Sequence, residues 1–332
     1  MALFKCNTCH HFQETSNDYI GKSAKCPKCR EKGIIYNTVL YAKNITEKYI
    51  SYKNLLKSEN NKSNVDEIGI DEPKLYDSMP IDNFDVYNTN IFSDECNYHA
   101  VTKWFKANGI KIQIDPKMMD TTGFFDEVAM LIGDNFNTIG SIINQIRYVQ
   151  NKKYDTVKIS LSSNSHEEVK QIEYFCKELH KYSFISRYNF KKKDKVIYLT
   201  LQNIPKIKNF FNGLWMEWFV LIKLITFFKE KSIIPSIVRG INITFPNKEK
   251  NELDIFFISN KGEPVCIECK TGEFRQDLSK YLLLKKRLNI KKENFILCVF
   301  GLDTKQSVGL TSMYEITLVN ECTLIEHINS II

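Results

Sequence analysis

Several things are missing from this chain of 332 residues. No secretory leader is visible, since the start, MALFKCNTC, lacks a long apolar run. No stretch reads as a membrane span. The longest apolar run, Trp215 to Phe228, is interrupted by Glu217 and Lys223 and is short for a bilayer. No disulfide framework is written into the ten cysteines. Four are paired by spacing near the N-terminus, and the rest are scattered among apolar residues, as reduced core cysteines are. No Gly-rich phosphate loop is present either. These absences argue against a secreted scaffold and a membrane protein, and the cysteine usage is that of the cytoplasm.

What is present suits a soluble α/β protein of two or three domains. The apolar share, 43%, supplies a sizeable core. Net charge is +7 with a surplus that is mostly Lys. That surplus suits a polyanionic partner, and an AT-biased, Lys- and Asn-rich composition explains it equally well.

Residues 1–43 carry Cys6-Asn7-Thr8-Cys9 and Cys26-Pro27-Lys28-Cys29, a C-x2-C-x16-C-x2-C pattern. Each C-x2-C turns two thiolates toward one point, and two such knuckles complete a tetrahedral Zn²⁺ site. The segment is too small to fold on an apolar core, so metal binding supplies most of its folding free energy. It resembles a zinc ribbon. With four thiolates available, His10 and His11 read as solvent-facing. Lys5, Lys22, Lys25, Lys28, Arg30 and Lys32 make the ribbon basic, which fits a structural cap and a nucleic-acid contact about equally.

Residues 44–80 read as a linker. Ile45 to Leu56 reads as a short helix, Lys57 to Asn64 is polar and of low complexity, and an acidic stretch follows. Residues 81–203 read as a central α/β domain with a possible nucleic-acid or effector-binding role. A short strand is expected at Phe84 to Tyr87. A helix over Asp94 to Asn108 stops at Gly109, and Ile110 to Ile114 alternates as a strand. Phe124 to Ile132 and Thr138 to Gln150 read as helices, and Thr156 to Leu161 as a strand. The clearest helix is Ser165 to Tyr182, with Ser165 as N-cap and Glu168 closing a capping box. The hairpin Phe184 to Leu201 then carries a Lys-rich tip at residues 191–195. Helix and hairpin suit a winged-helix reader of the phosphate backbone. They suit slightly better a sheet edge whose lysines discourage strand pairing. Asp115, Asp120, Asp126, Asp134 and Asp155 read as helix caps and solvated loop acids.

The chain is organised around residues 251–272, NELDIFFISNKGEPVCIECKTG. Leu253 to Ser259 and Pro264 to Lys270 are β-prone runs joined by the turn Asn260-Lys261-Gly262. Alternation puts Glu252 and Asp254 on one face, and Glu268 and Lys270 on one face. With the turn near Lys261, Asp254 falls opposite Glu268. Two facing carboxylates repel, and a divalent metal is the usual reason to keep them. The flanks read as a buried helix over Gly213 to Glu230, a strand at Ile237 to Phe245, a helix at Gln276 to Leu288 and a buried strand at Asn294 to Phe300. Lys305-Gln306-Ser307 reads as a polar loop, before Ile316 to Val319 and Thr323 to Ile331 pack on the core.

Asp254 followed by Glu268-Cys269-Lys270 resembles the D…(D/E)-x-K signature of the PD-(D/E)XK, or restriction-endonuclease-like, nucleases. Within that class GLWMEWF, the LD of the second strand and ECKTG look most like the C-terminal domain of CRISPR-associated ancillary nucleases. The resemblance covers the last third of the chain, residues 204–332, and implies an αβββαβ core. It implies a metal-dependent endonuclease in prokaryotic defence or DNA processing. Asp254, Glu268, Lys270 and, on the helix, Glu217 are then the catalytic set. Asp254, Glu268 and the backbone carbonyl of Cys269 are the expected ligands of Mg²⁺ or Mn²⁺. Lys270 orients the attacking water or neutralises developing charge, and Glu252 is the weaker candidate. The resemblance does not carry an activating ligand across, because the N-terminal ribbon is foreign to that pattern.

The expected partner is nucleic acid, DNA favoured over RNA by analogy with the class. A homodimer, an activating ligand and a protein partner stay open. Lys280, Lys285, Lys286, Arg287, Lys291 and Lys292 form a basic stripe that a solvated helix face explains, and that in a nuclease would hold phosphates beside the cut. The competing reading is a nucleic-acid-binding or docking subunit of a larger defence or repair complex, whose nuclease fold is inactive or awaits an activator.

Overall fold

The computed structural model describes residues 2–6, 11–38, 98–115, 118, 124–233 and 235–332. Expectations for Cys9, His10, Asp120, the helix at 45–56, the linker at 57–64 and the strand at 84–87 lie outside the described residues. The fold is mixed α/β, in two compact units, Met1–Tyr76 and Asp77–Ile332.

In the first unit β1 (Ala2–Lys5), β2 (Phe12–Thr15), β3 (Ser23–Lys25) and β4 (Lys32–Asn37) form an antiparallel sheet in the order β2-β1-β4-β3. Its core is small: Ala2, Phe4 and Ile35 with Cys6 and Cys26. So few apolar side chains cannot offset the entropy of ordering the segment. Gly33 is required by close packing, because a Cβ there would lie 2.4 Å from the Lys5 carbonyl oxygen.

The second unit is built on a six-stranded sheet. Its strands are β5 (Lys111–Gln113), β9 (Ser236–Thr244), β10 (Lys250–Ile258), β11 (Pro264–Thr271), β12 (Phe295–Phe300) and β13 (Thr317–Val319). The order is β13-β12-β11-β10-β9-β5, antiparallel from β5 to β11 and parallel from β11 to β13. The strands are apolar on both faces because both faces are covered. On one side pack α1 (His99–Ala107) and α7 (Leu278–Leu288), through Phe105, Tyr281 and Leu284. On the other packs α6 (Trp215–Glu230), through Phe219 and Leu224.

Helix α6 is apolar all round because it is buried all round. It continues back through a π-helical turn, Phe210–Leu214, into α5 (Pro205–Asn209). The stretch Pro205–Glu230 is therefore longer than the sequence suggested. By length and composition it could cross a bilayer, yet its most apolar window is 72% buried inside the protein. It is a core helix.

The remaining elements are α2 (Phe125–Asp134), α3 (Phe136–Asn151), β6 (Thr156–Ser160), α4 (His166–Lys181), β7 (Ile185–Lys191) and β8 (Val196–Leu201). Strands β6, β8 and β7 form a small antiparallel sheet with β8 central. Helix α4 carries the expected capping box: Ser165 Oγ accepts from Glu168 N–H, and Glu168 accepts from Ser165 N–H at 2.8 Å.

The boundary expected at 203/204 does not separate two cores. Ile143, Phe175 and Leu199 share one continuous apolar cluster with Trp215, Phe219 and Ile267. Helix α1 and β5, expected in the central domain, belong to the six-stranded sheet, and the Phe105 and Phe256 rings pack 4.6 Å apart. The polar loop expected at Lys305 to Ser307 is the start of helix α8 (Thr304–Met313), capped by the Asp303 carboxylate. Helix α9 (Leu324–Ile331) closes the chain.

Candidate active site

The hairpin β10–β11 pairs Ile255 with Ile267 as its last ladder position. One step further along the same register stand Asp254 and Glu268. Asp254 Oδ2 accepts the Cys269 backbone N–H at 2.7 Å, so the acid caps the end of the ladder. On β11, Cys266 faces α7 and Ile267 faces α6, so Glu268 and Lys270 share the α7 side, as alternation requires.

Alternation fails on β10. Leu253 packs in the α7 layer, whereas Ile255, two residues on, packs in the α6 layer. The partner strand breaks at the same level: Gly240, which the register sets opposite Asp254, has φ +62. A Cβ there would meet the Met118 methyl at 2.5 Å. The common face expected for Glu252 and Asp254 is therefore interrupted, and Glu252 is exposed. An isolated Gly inside an apolar strand was the readable signal for this break.

Glu268 is buried, and its Oε1 has no hydrogen-bond partner. Burial first, and then the Asp254 charge, push its carboxyl well above the ordinary Glu range. Burial also pushes Asp254 up, to about 6, against the Cys269 N–H bond and the Lys270 charge that favour its ionised form. Lys270 Nζ lies 3.6 Å from Asp277 Oδ2 and 5.9 Å from the centre of the Tyr281 ring. Lys280 stands over the same ring at 5.8 Å. The charges of Lys280 and Lys270 both act to keep Glu268 ionised.

Glu217, in the first turn of α6, is held by a residue that the sequence reading missed. Arg239 Nη1 donates to Glu217 Oε2 at 3.0 Å, its Nε donates to the Met118 carbonyl at 2.8 Å, and Nη2 donates there too. The guanidinium lies 4.0 Å above the Trp218 ring. Burial raises Glu217 to about 8, the Asp254 charge adds to this, and Arg239 opposes it. A lone Arg in the apolar run Ile237 to Phe245 was the available clue.

Two facing carboxylates with an orphaned buried oxygen fit a hard divalent cation, which takes one or two carboxylates and completes its shell with water. Asp254, Glu268 and Glu217 do not converge into a closed cage. Among the described residues, the one trio of metal-capable side chains with ligand atoms all within 4.8 Å of one another is Cys6, Cys26 and Cys29. There Cys6 and Cys29 sulfurs are 3.4 Å apart, and the Lys28 N–H points to Cys26 Sγ at 3.4 Å. Tetrahedral zinc with Zn–S near 2.3 Å sets sulfurs about 3.8 Å apart, which this trio approaches.

Other expected residues are placed elsewhere. Asp134 pairs with Lys223 at 2.7 Å, and Asp155 and Asp115 are exposed. Asp126 is no solvated cap: it is fully buried in the first turn of α2, with neither carboxylate oxygen partnered, and burial raises it to about 9. In the basic stripe, Lys285, Arg287 and Lys291 pair with Glu315, Glu249 and Glu263, while the charge of exposed Lys280 favours the ionised forms of Asp254 and Glu268.

No family model and no curated protein matches the chain. Among solved structures, it is similar to the crystal structure of protein VC1899 from Vibrio cholerae, at 14% identity and a TM-score of 0.47. The match covers 69% of this chain and 60% of that one. A likeness this low carries neither fold nor function across.

Proposed function

We propose that the chain is a metal-dependent nuclease whose site is the end of the β10–β11 hairpin. The observation that carries the reading is the buried, unpartnered Glu268 Oε1 one register step past the ladder, opposite Asp254, with Lys270 two residues along on the same face. A folded chain that keeps two facing carboxylates there, both shifted toward neutrality by burial, is built to receive a cation. The order α6, β9, β10, β11, α7, β12 supports the αβββαβ core implied by the resemblance.

In this reading Asp254 and Glu268 hold Mg²⁺ or Mn²⁺, with the Cys269 carbonyl as a further ligand. Bound there, the cation lowers the pKa of water and offsets phosphoryl charge. Lys270, held between Asp277 and Tyr281, positions the attacking water by donating to it. Glu217, fixed by Arg239, supports the site from the helix through water. Lys280 neutralises phosphate beside the cut. DNA is the favoured substrate, and Cys6, Cys26 and Cys29, with Cys9, hold a structural Zn²⁺.

The test is incubation of the purified chain with plasmid, linear duplex, single-stranded DNA and RNA, in EDTA, Mg²⁺ and Mn²⁺. Metal-dependent cutting that drops at least about 10²-fold in Lys270→Ala, with an unchanged melting temperature, supports the assignment. Cutting by that variant at the parent's rate sinks it. Binding without cutting under any metal favours the docking or binding subunit.

A further inference from the structure

The exposed surface formed by the end of α3 and by β6 carries a pattern that the catalytic reading does not use. Tyr148 and Tyr154 are 62% and 67% exposed, large rings left in water. Their backbones are brought close by the end of the helix. Helix α3 ends in a reversal at Lys153, φ +60, and the Tyr154 N–H returns to the Val149 carbonyl at 3.0 Å. Lys152 lies 5.9 Å from the Tyr148 ring centre. Between helix and strand runs an open cleft of about 370 Å³, lined by Tyr148, Val149, Val157 and Lys158 among others.

The charge on this surface is predominantly positive. Residues 144–158 hold Arg147, Lys152, Lys153 and Lys158 against the single acid Asp155. That acid is engaged locally, accepting the Thr156 hydroxyl at 3.0 Å. The surface also reaches the end of β11. The same helix carries Arg147, whose Nη1 donates to Thr271 Oγ1 at 3.3 Å; Thr271 ends β11 next to Lys270, with its side chain on the α6 side of the sheet and that of Lys270 on the α7 side.

We infer that this surface is a track for single-stranded nucleic acid, with Tyr148 and Tyr154 as stacking platforms leading a strand to the β11 end of the hairpin. The inference rests on the nuclease reading for its destination and names the form of substrate that the reading leaves open. Exposed rings interleaved with cations, beside a shallow cleft, are what a strand with unpaired bases engages: the lysines track the phosphates and the rings meet base faces. A duplex keeps its bases stacked on each other and leaves the rings idle. An acidic peptide uses the lysines alone.

The experiment is fluorescence anisotropy of the full chain with labelled 20-mers of thymidine, of uridine and of abasic sugar-phosphate, all in EDTA. Cutting is off in EDTA, so binding is read apart from catalysis. Tyr148→Ala with Tyr154→Ala should weaken binding of the thymidine strand at least about fivefold per ring, while the paired Phe variants bind like the parent. The abasic strand should bind the parent as weakly as the thymidine strand binds the Ala pair. Uridine against thymidine distinguishes RNA from DNA as the source of the strand. Equal binding of the abasic strand, or parent-like binding by the Ala pair, overturns the inference, as does no binding of any strand. Failure of metal-dependent cutting with intact binding would sink the catalytic assignment and leave the track standing.

Discussion

Asp254, Glu268 and Glu217 hold their protons more tightly in the fold than in an unfolded chain, and that has a sign. Asp254 moves from the ordinary 3.8 up to about 6, and Glu217 from 4.5 up to about 8. A carboxyl with a raised folded value stabilises the fold relative to its ionised form at low pH. That contribution is complete below about pH 4 and is lost as pH rises through about 6 for Asp254. Replacing Asp254 by Asn removes the titration. In urea unfolding with EDTA, the stability of Asp254→Asn relative to the parent should therefore improve between pH 4 and pH 7, then level off. A difference that stays flat across that range refutes the buried-carboxylate account. Bound Mn²⁺ needs the ionised pair, so metal should flatten or reverse the parent's decline. Residue identity made this pair legible: the spacing around the turn put Asp254 opposite Glu268, and the register agrees. Arg239 could be noticed as a lone charge in an apolar strand, but its partners could not be read, because its role is tertiary. It meets Glu217 and Met118 across 22 and 121 residues of sequence, and no local pattern encodes such a meeting.

Elements were legible where periodicity or capping chemistry is strong. The Ser165–Glu168 box, the alternating hairpin and the stop at Gly109 are local events, and local rules describe them. Lys305 to Ser307 read as a loop because the helix they begin, TKQSVGLTSM, has one buried residue, Ser307, and no apolar stripe to betray a period. The break at Gly240 was missed for a related reason. Alternation assumes an undistorted strand, and the one sign that it fails here is Gly240 itself, the residue that takes the positive φ. The cysteine knuckles are the other local element, and their spacing did anticipate the clustering of Cys6, Cys26 and Cys29. The proposed zinc predicts about one Zn per chain by elemental analysis, reduced in Cys26→Ser. A strong chelator should speed amide exchange in residues 2–38 and leave 124–332 protected. Unchanged exchange in the N-terminal sheet after complete metal removal would rule out a metal-held fold there.

In the second unit, the apolar cluster on the α6 side of the sheet joins segments that the sequence reading had assigned to different domains. Val128, Ile132 and Gly133 of α2 pack with α6, and a Cβ on Gly133 would fall 2.2 Å from the Phe219 ring. A fragment of residues 204–332 alone would expose that side of α6 to water. It should be insoluble or molten, binding a hydrophobic dye and showing no sharp unfolding transition, whereas residues 98–332 should fold. A cooperative, well-dispersed 204–332 fragment would refute the shared core. The Arg239 clamp adds a temporal side to this wholeness. Its guanidinium joins the backbone at Met118 to the acid at 217, so the site needs chain made early and chain made late to have met. A nascent polypeptide, still lacking β10 and β11 on the ribosome, has the clamp's partners but not the cutting pair. Under the proposed function, synthesis itself keeps the enzyme harmless to the nucleic acid around it until the last third has emerged and packed.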